Sequence, residues 1–268
     1  MAKKRVDLLL VERGLIGSRQ KAQAVIMAGL VYSGERRCDK PGLALEETVP
    51  LEVRGQPRYV SRGGLKLEKA MQSFPITLTD KVAADIGAST GGFTDCMLQN
   101  GAAKVYAVDV GYGQLAWSIR NDPRVVCLER TNARYLTAQH IPEPLGFASI
   151  DVSFISLGLI LPALRPLMAD GGQVAALVKP QFEAGKDKVG KKGVVRDPAV
   201  HLEVLEHFLG HAALADFSVL GLDFSPIRGP EGNIEYLGFL RTGAGEPFAC
   251  DLKSLVERSH QALKGEGI

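Results

Sequence analysis

Four charged residues, two lysines and two carboxylates, stand where a folded sheet would gather them. Asp151 ends the fourth predicted strand, Lys179 ends the fifth and Glu235 opens the last. Lys66 lies on the helix that precedes the first strand. Because neighbouring strand ends meet at one edge of a parallel sheet, all four side chains can face one cleft. Buried charges are costly unless they are paired, so these residues form either two structural salt bridges or a site for proton transfer.

A glycine-rich turn and an aspartate predict a nucleoside cofactor. The first strand runs into the turn DIGASTGGF, where Gly87, Gly91 and Gly92 allow a ligand to approach the backbone. The turn lacks both GxGxxG and the Lys-Ser/Thr of a phosphate-binding loop. Asp109 ends the second strand, 22 residues after Gly87, where a carboxylate can bind ribose hydroxyls. Asp85 makes the turn acidic at its start, which suits the cationic sulfonium of S-adenosylmethionine.

We place the adenine of this cofactor near the stretch that follows the third strand. The cofactor-binding residues that we predict are Asp85, Gly87, Ser89, Thr90, Gly91, Gly92, Phe93, Asp109, Asn132 and Ala133.

The sequence around these residues alternates between apolar, strand-like runs and amphipathic stretches. The strand candidates are residues 81–88, 104–111, 125–131, 147–154, 171–180, 217–225 and 234–242. Such alternation is typical of an α/β fold with a doubly wound, mostly parallel sheet, here a Rossmann-like sheet of seven strands. The last two candidates leave little room for a crossover helix, so we expect them to pair antiparallel.

The first sixty residues predict a small, separate α+β unit. A helix beginning near Val6 stops at Gly14, and Ser18 is a good N-cap for a second helix. The first turn of that helix contains Arg19 and Lys21, although cations there oppose the helix dipole. Either an anion such as a phosphate docks at this helix end, or both side chains point into water.

The segment RVDLLLVERGLIGSRQKAQAVIMAGLVYSGERR resembles the S4-type RNA-binding domain. The resemblance covers about a fifth of the chain, and it implies contacts to phosphates of structured RNA, which position a protein without reading sequence. The residues it assigns to RNA binding are Arg5, Arg13, Arg19, Lys21, Arg36 and Arg37.

The charge distribution agrees with two domains of different character. The net charge is +2, but residues 1–62 contain 12 Lys and Arg against 7 Asp and Glu. A basic module of this kind favours a polyanion partner, although a solvated basic face gives similar counts. We predict an RNA-binding domain at residues 1–60, a connector at about 54–61, and a larger domain at 62–268.

The order Lys-Asp-Lys-Glu in such a fold resembles the FtsJ-type ribose 2′-O-methyltransferases. The surrounding words resemble the TlyA family of bacterial rRNA methyltransferases, long labelled hemolysins: SRGGLKL, DIGASTGGFTD, VDVGYGQLAWSIRNDPRV, RTNAR, DVSFISL, LVKPQFEAGK and GPEGNIEY. The resemblance implies transfer of a methyl group from S-adenosylmethionine to the 2′-oxygen of cytidine in ribosomal RNA. Its catalytic residues are then Lys66, Asp151, Lys179 and Glu235, and its partners are rRNA and ribosomal subunits.

A ribose hydroxyl is a poor nucleophile until its proton is removed. Lys179 is the group that we expect to orient or accept that proton. Other target atoms are disfavoured, because amine methyltransferases usually carry Asp/Asn-Pro-Pro-aromatic where this chain has Asp151-Val152-Ser153-Phe154. A pyrimidine C5 enzyme needs a cysteine nucleophile, and no cysteine is near Asp151 or Lys179 in the sequence.

Two further segments bear on the substrate. The loop from Glu183 to Asp197 is rich in Lys and Gly, and it is either a clamp on RNA or a solvated loop. The stretch from Asp251 to Lys264 predicts a terminal helix. In the TlyA family such an extension resembles the longer form, which modifies RNA of both ribosomal subunits.

Two other function classes compete with the enzyme. A pore-forming hemolysin needs a membrane-inserting segment, but the most apolar run, from Ile155 to Leu164, is about half the ~20 residues of a spanning helix and contains Pro162. A ribosome-binding or assembly protein without activity is the second class, against which the intact turn and charged residues argue.

The sequence also favours a cytoplasmic protein without metal. The apolar stretch near the N-terminus contains Asp7, Glu12 and Arg13, unlike the core of a signal peptide. The four cysteines form no CxxC pair, and His207 and His211 have no third ligand in their pattern.

Overall fold

The computed structural model describes residues 3–55, 57–190, 192–243, 245 and 248–264. Gln56 of the predicted connector and Lys191 of the Lys-rich loop lie outside the described residues, as do residues 1–2 of the first predicted domain and 265–268 of the second. The chain divides into two compact units, Met1–Gly64 and Leu65–Ile268.

The first unit packs two helices against short strands. Its described elements are β1 (Lys3–Arg5), α1 (Val6–Glu12), α2 (Arg19–Met27), β2 (Val31–Ser33), β3 (Arg36–Arg37), β4 (Ala44–Glu46) and β5 (Glu52–Val53). Ser18 caps α2, since its Oγ accepts from the Lys21 amide at 3.3 Å. The chain turns after α1 at Gly14, where φ is +68°. Val6 and Leu10 of α1 pack with Ile26 of α2 in a small apolar core.

The second unit has the alternation that the sequence predicts. Its described strands and α-helices are α3 (Gly63–Ser73), whose first two residues belong to the first unit, β6 (Val82–Ile86), α4 (Gly92–Gln99), β7 (Lys104–Val108), α5 (Trp117–Arg120), β8 (Val125–Leu128), β9 (Leu145–Ile150), α6 (Leu157–Leu164), β10 (Met168–Val178), α7 (Pro180–Glu183), α8 (Pro198–Leu214), β11 (Phe217–Phe224), β12 (Tyr236–Thr242) and α9 (Leu252–Ala262). Asp251 caps α9 through a hydrogen bond from the Ser254 amide.

The seven strands form one sheet in the order β11-β12-β10-β9-β6-β7-β8. The pairs within β10-β9-β6-β7-β8 are parallel, whereas β12 runs antiparallel to both β10 and β11. The predicted α/β fold, including the antiparallel pair, is therefore confirmed. The chain leaves β6 towards β7 on one side and later returns to β9 on the other. This switch point makes the carboxyl ends of β6 and β9 the expected place for a ligand.

Among the described residues, no helix combines the length and apolar character that crossing a membrane requires.

Candidate active site

The four charged residues predicted as catalytic meet at one edge of the sheet. Asp151 directly follows β9 and Lys179 directly follows β10, so both lie at the carboxyl ends of parallel strands. Glu235 directly precedes β12, whose antiparallel direction brings its start to the same edge, with Tyr236 paired to Val178. Lys66 reaches this edge from α3.

The side chains form a chain of ion pairs. Lys66 Nζ lies 2.7 Å from Glu235 Oε2 and 3.7 Å from Asp151 Oδ2. Lys179 Nζ lies 2.5 Å from Asp151 Oδ1 and donates to Ser153 Oγ at 3.3 Å. Asp151 is thus shared by both lysines, while Glu235 contacts Lys66.

This cluster is largely removed from water. The exposed fraction of the side chain is 9% for each lysine, 1% for Glu235 and 19% for Asp151. Burial acts to raise the pKa of the Asp151 carboxyl, but Lys66 and Lys179 outweigh it, and the pKa lies below its ordinary value of 3.8. Asp151 is therefore ionised near neutral pH and can hold two cations in place.

The glycine turn after β6 lies against the same cluster. Gly87 has φ +89°, and a Cβ on it would lie 2.5 Å from the carbonyl oxygen of Asp151. Its amide donates to the carbonyl of Val108 at the end of β7. Only glycine fits this position, because the backbone takes the left-handed region and approaches another backbone closely. The turn and the charged cluster are therefore parts of one site.

Asp109 has the geometry expected of a ribose-binding carboxylate. Its oxygens accept from the amides of Ser89 and Gly111, each at 2.7 Å, and the residue is half-buried. A carboxylate has about four acceptor positions, so capacity remains for hydroxyl donors of a nucleoside. Together with the exposed residues Ser89 and Thr90, this donor and acceptor set fits S-adenosylmethionine.

Asp85 occupies a different place from the other residues predicted to bind the cofactor. It is fully buried, and its carboxylate accepts from the amide and hydroxyl of Thr94 and from Ser149 Oγ. Burial raises the pKa of Asp85 to about 6, against the effect of the Thr94 hydrogen bonds. The side chain therefore joins β6 to α4 and β9 beneath the turn.

The remaining residues predicted to bind the cofactor lie around the turn. Gly91, Gly92 and Phe93 are buried where α4 begins. Asn132 is exposed and accepts from the Arg134 amide at 3.0 Å, while Ala133 is buried. The loop that contains Asn132 and Ala133 is hydrogen-bonded to the end of β7, since the Thr131 amide donates to the carbonyl of Asp109.

In the first unit, a buried aspartate organises two of the predicted RNA-binding cations. Asp7 accepts two hydrogen bonds from Arg5 at 2.9 Å, one from Arg19 at 3.1 Å and one from Gln23 at 3.1 Å. Arg19, whose charge opposes the dipole of α2, is thus paired with an anion of the chain itself, the Asp7 carboxylate. Arg5 and Arg19 remain about half exposed.

The other four predicted RNA-binding residues lie on the surface of this unit. Arg13 donates to the carbonyls of Val49 and Glu47. Lys21, Arg36 and Arg37 are exposed.

Three residues near Lys179 carry no role in the sequence-based prediction. Ser153 accepts from Lys179. Phe154 is 91% exposed with φ +65°, and its ring lies 5.0 Å from that of Phe182. An exposed aromatic residue whose backbone is in the left-handed region is unusual. In the sequence, only its position three residues after Asp151 indicates that Phe154 belongs to this site.

Comparison with known proteins identifies both parts of the chain. A model of the FtsJ-like methyltransferase family matches residues 59–242, and a model of the S4 domain matches residues 4–48. The chain is 56% identical to YqxC of Bacillus subtilis, over 98% of this chain and 96% of that protein. It is 45% identical to the 16S/23S rRNA (cytidine-2′-O)-methyltransferase TlyA of Mycobacterium tuberculosis, over 97% of each.

The fold agrees with these matches. A solved structure from Streptococcus thermophilus, which carries a hemolysin label, is 50% identical and covers 98% of both chains with a TM-score of 0.78. The FtsJ-like match spans the glycine turn and all four charged residues of the cluster. The chain therefore belongs to the FtsJ-like methyltransferase family, the enzymes of which use S-adenosylmethionine, and it carries an S4 domain ahead of the enzyme domain.

Proposed function

We propose that this chain transfers a methyl group to the 2′-oxygen of a cytidine ribose in ribosomal RNA. The observation that carries the proposal is the meeting of Lys66, Asp151, Lys179 and Glu235 beside the glycine turn. The 45% identity to TlyA, whose name specifies cytidine 2′-O-methylation of 16S and 23S rRNA, supports the substrate.

The residues proposed to hold the cofactor are those of the turn and of the strand ends next to it. Asp109 would hold its ribose, the turn from Gly87 to Phe93 would hold its methionine part, and Asn132 and Ala133 would hold its adenine. S-adenosylmethionine supplies an electrophilic methyl group on a positively charged sulfur.

The residues of the chain itself would hold the ribose hydroxyl in line with the methyl group and assist the removal of its proton. Lys179 Nζ is fixed by Asp151 and Ser153, so it has one defined position beside the ribose. As an ammonium it orients the ribose oxygen by donating to it, and it can accept the ribose proton only after releasing one of its own. Lys66 is fixed by Glu235 and by Asp151. Two cations and two carboxylates balance, which lowers the cost of burying them.

The first unit is proposed to dock the enzyme on structured rRNA. We take residues 1–60 as the RNA-binding domain and 62–268 as the methyltransferase domain, with the connector at 54–61. Four cations, Arg5, Arg19, Arg36 and Arg37, offer phosphate contacts alongside Arg13 and Lys21. A ribosomal subunit is the proposed substrate particle, which places the reaction in the cytoplasm, and α9 favours action on both subunits.

The position of the new methyl group tests this proposal directly. Unmodified bacterial ribosomal subunits are incubated with the protein and tritiated S-adenosylmethionine, and the labelled RNA is hydrolysed with alkali. A 2′-O-methyl blocks hydrolysis at its own phosphodiester, so the label is expected in alkali-resistant dinucleotides that contain cytidine. Label only in mononucleotides would assign the methyl to a base instead.

Two rival functions predict different results. A ribosome-binding protein without activity would leave both subunits and free rRNA unlabelled. The hemolysin label, which Hemolysin A of Brachyspira hyodysenteriae also carries at 40% identity, predicts leakage of vesicles. Dye release from phospholipid vesicles at the concentrations used for methyl transfer would favour it, and we expect none.

A further inference from the structure

A basic segment, described at residues 185–190 and 192–193, connects two members of the catalytic cluster. It begins soon after Lys179, on the far side of α7, and it ends where the chain meets the residues ahead of Glu235. Lys186 and Lys192 of this segment are exposed, whereas Lys188 forms an ion pair with Glu203. The exposed ammonium groups of Lys186 and Lys192 can contact the phosphates of an RNA backbone.

Asn233 makes the connection at the end of this segment. The residue is 1% exposed. Its Nδ2 donates to the carbonyl of Gly193 at 2.8 Å, and its Oδ1 accepts from the Val195 amide at 2.9 Å. The side-chain amide of Asn233 thus makes two hydrogen bonds to the backbone, one on each side of Val194. Val195 is buried and Gly193 is half-buried, so losing the amide leaves the Val195 amide as an unsatisfied buried donor and takes away the partner of the Gly193 carbonyl.

A second contact supports the strand on the other side of Glu235. His201 is fully buried; its Nε2 contacts the Val195 carbonyl at 3.1 Å and its Nδ1 contacts Tyr236 Oη at 2.8 Å. A carbonyl can only accept, so Nε2 carries the proton and Nδ1 accepts from Tyr236. Burial lowers the pKa of His201 to about 4, which agrees with a neutral ring at pH 7.

Glu235 therefore lies in the chain between Asn233 and Tyr236, and both of these residues are connected to the backbone around Val195. Asn233 is bound to Gly193 and Val195, and Tyr236 is bound through His201 to Val195. The turn ahead of the strand also has no spare room, since a Cβ on Gly229 would lie 2.6 Å from Glu235 Oε1. A movement at Val195 would be transmitted to the carboxylate that fixes Lys66.

We propose that Asn233 is a positioning residue that holds Glu235 and the basic segment in one arrangement, so that RNA contact by the segment and the geometry of the catalytic cluster are coupled. The inference rests on the proposed function, because it takes rRNA as the ligand of the segment. Asn233 acts through Glu235 and Lys66 and touches neither the ribose nor the cofactor.

The test is a double-mutant cycle in full-length protein with steady-state methyl transfer to ribosomal subunits. One arm is Asn233→Ala, and the other is Lys186→Gln with Lys192→Gln. The glutamines alone are expected to raise KM for RNA several-fold at unchanged kcat. Asn233→Ala is expected to lower kcat by about ten- to a hundred-fold, as small misplacements do, and to raise KM as well.

Coupling is decided by the combined variant. If Asn233 holds the segment, the glutamines raise KM by less than about twofold once Asn233 is alanine, since coupled residues are non-additive. Full additivity of the KM effects, or a kcat that Asn233→Ala leaves unchanged, would overturn the inference. An unmodified chain that transfers no methyl group would instead overturn the proposed function, and this inference with it.

Two controls separate positioning from a general loss of structure. Asn100→Ala removes a side-chain hydrogen bond to the Cys96 carbonyl at the end of α4 and is expected to keep kcat and KM. Asn233→Asp keeps the acceptor for Val195 but places a carboxylate against the Gly193 carbonyl, so it is expected to lower kcat in a protein that folds. Calorimetric titration with S-adenosylmethionine should give unchanged affinity in every variant; a parallel loss of cofactor affinity in the Asn233 variants would reduce Asn233 to a structural role.

Discussion

At the scale of single residues, the buried carboxylates of this chain have opposite electrostatic environments. Asp151 faces two lysines, which hold its pKa below the ordinary value. Asp85 faces hydroxyl and amide donors, and burial raises its pKa to about 6. The sequence suggested a part in the site for both, but only the three-dimensional contacts separate an ion-pairing carboxylate at the sheet edge from one that supports the turn from below.

Asp85 predicts a characteristic dependence of stability on pH. The folded chain keeps the Asp85 proton up to a pH of about 6, whereas the ordinary value is 3.8, so ionisation in this window costs folding free energy. Relative to Asp85→Asn, the unfolding free energy of the natural chain should fall as the pH rises through this window, by roughly 3 kcal/mol in total. Urea unfolding at a series of pH values measures it.

The control for this series is Asp170→Asn, because Asp170 is exposed. Its difference from the natural chain should stay flat over the same pH range. A flat difference for Asp85→Asn as well would show that the buried carboxyl ionises as it does in the unfolded chain.

At the scale of elements, the strand ends and the turn between them determine the site. The apolar runs and the glycine spacing predicted where β6, β7, β9 and β10 end, so the edge that collects Asp109, Asp151 and Lys179 followed from the sequence. The close approach of Gly87 to Asp151 did not, because a contact between residues 64 apart depends on strand order and register.

Replacing Gly87 with alanine tests this contact. A Cβ there meets the Asp151 backbone at 2.5 Å and must also adopt φ +89°. Gly171 has φ +71° with nothing within 4 Å, so Gly171→Ala measures the backbone strain alone, about 1–2 kcal/mol. We expect Gly87→Ala to cost clearly more unfolding free energy than this and to weaken binding of S-adenosylmethionine, measured by urea unfolding and calorimetry. Equal costs would mean that the turn relaxes away from Asp151.

The helices of the first unit depend on Asp7 in a way that the sequence did not reveal. The pattern showed cations at the start of α2 and suggested a docked phosphate or open water, whereas Asp7 of α1 supplies the anion for Arg19. Periodicity marks which face of α1 is apolar, and it gives no sign that a charged residue on that face is paired.

Asp7→Asn is expected to destabilise the chain by about 2 kcal/mol at neutral pH, since it weakens hydrogen bonds to charged groups. Arg5 above all holds the pKa of Asp7 far below its ordinary 3.8, so the stabilisation is present above about pH 4 and disappears as the pH falls. Thermal unfolding of Asp7→Asn against Asp39→Asn, whose side chain is exposed, measures the effect. Equal unfolding temperatures at pH 7 would contradict it.

At the scale of the whole molecule, the sequence predicted the class of fold, the antiparallel pairing of the last two strands, and the residues that gather at the sheet edge. Those features follow from local periodicity and from the rules of parallel sheets. It could not predict that Asp151 is shared by both lysines, or that Asn233 ties the Lys-rich segment to the start of β12. Both contacts join segments that are far apart in the chain, and whether such contacts form depends on the exact packing of the folded protein.

We propose that the charged cluster carries out methyl transfer and that binding of the cofactor is a separate property of the turn. Single-turnover transfer of tritiated methyl to ribosomal subunits by Lys179→Ala, with cofactor affinity measured on the same sample, tests it most directly. We expect S-adenosylmethionine to bind this variant as tightly as the natural chain, while the rate of methyl transfer falls by about a thousand-fold or more. A variant that binds the cofactor and transfers methyl at the rate of the natural chain would contradict it.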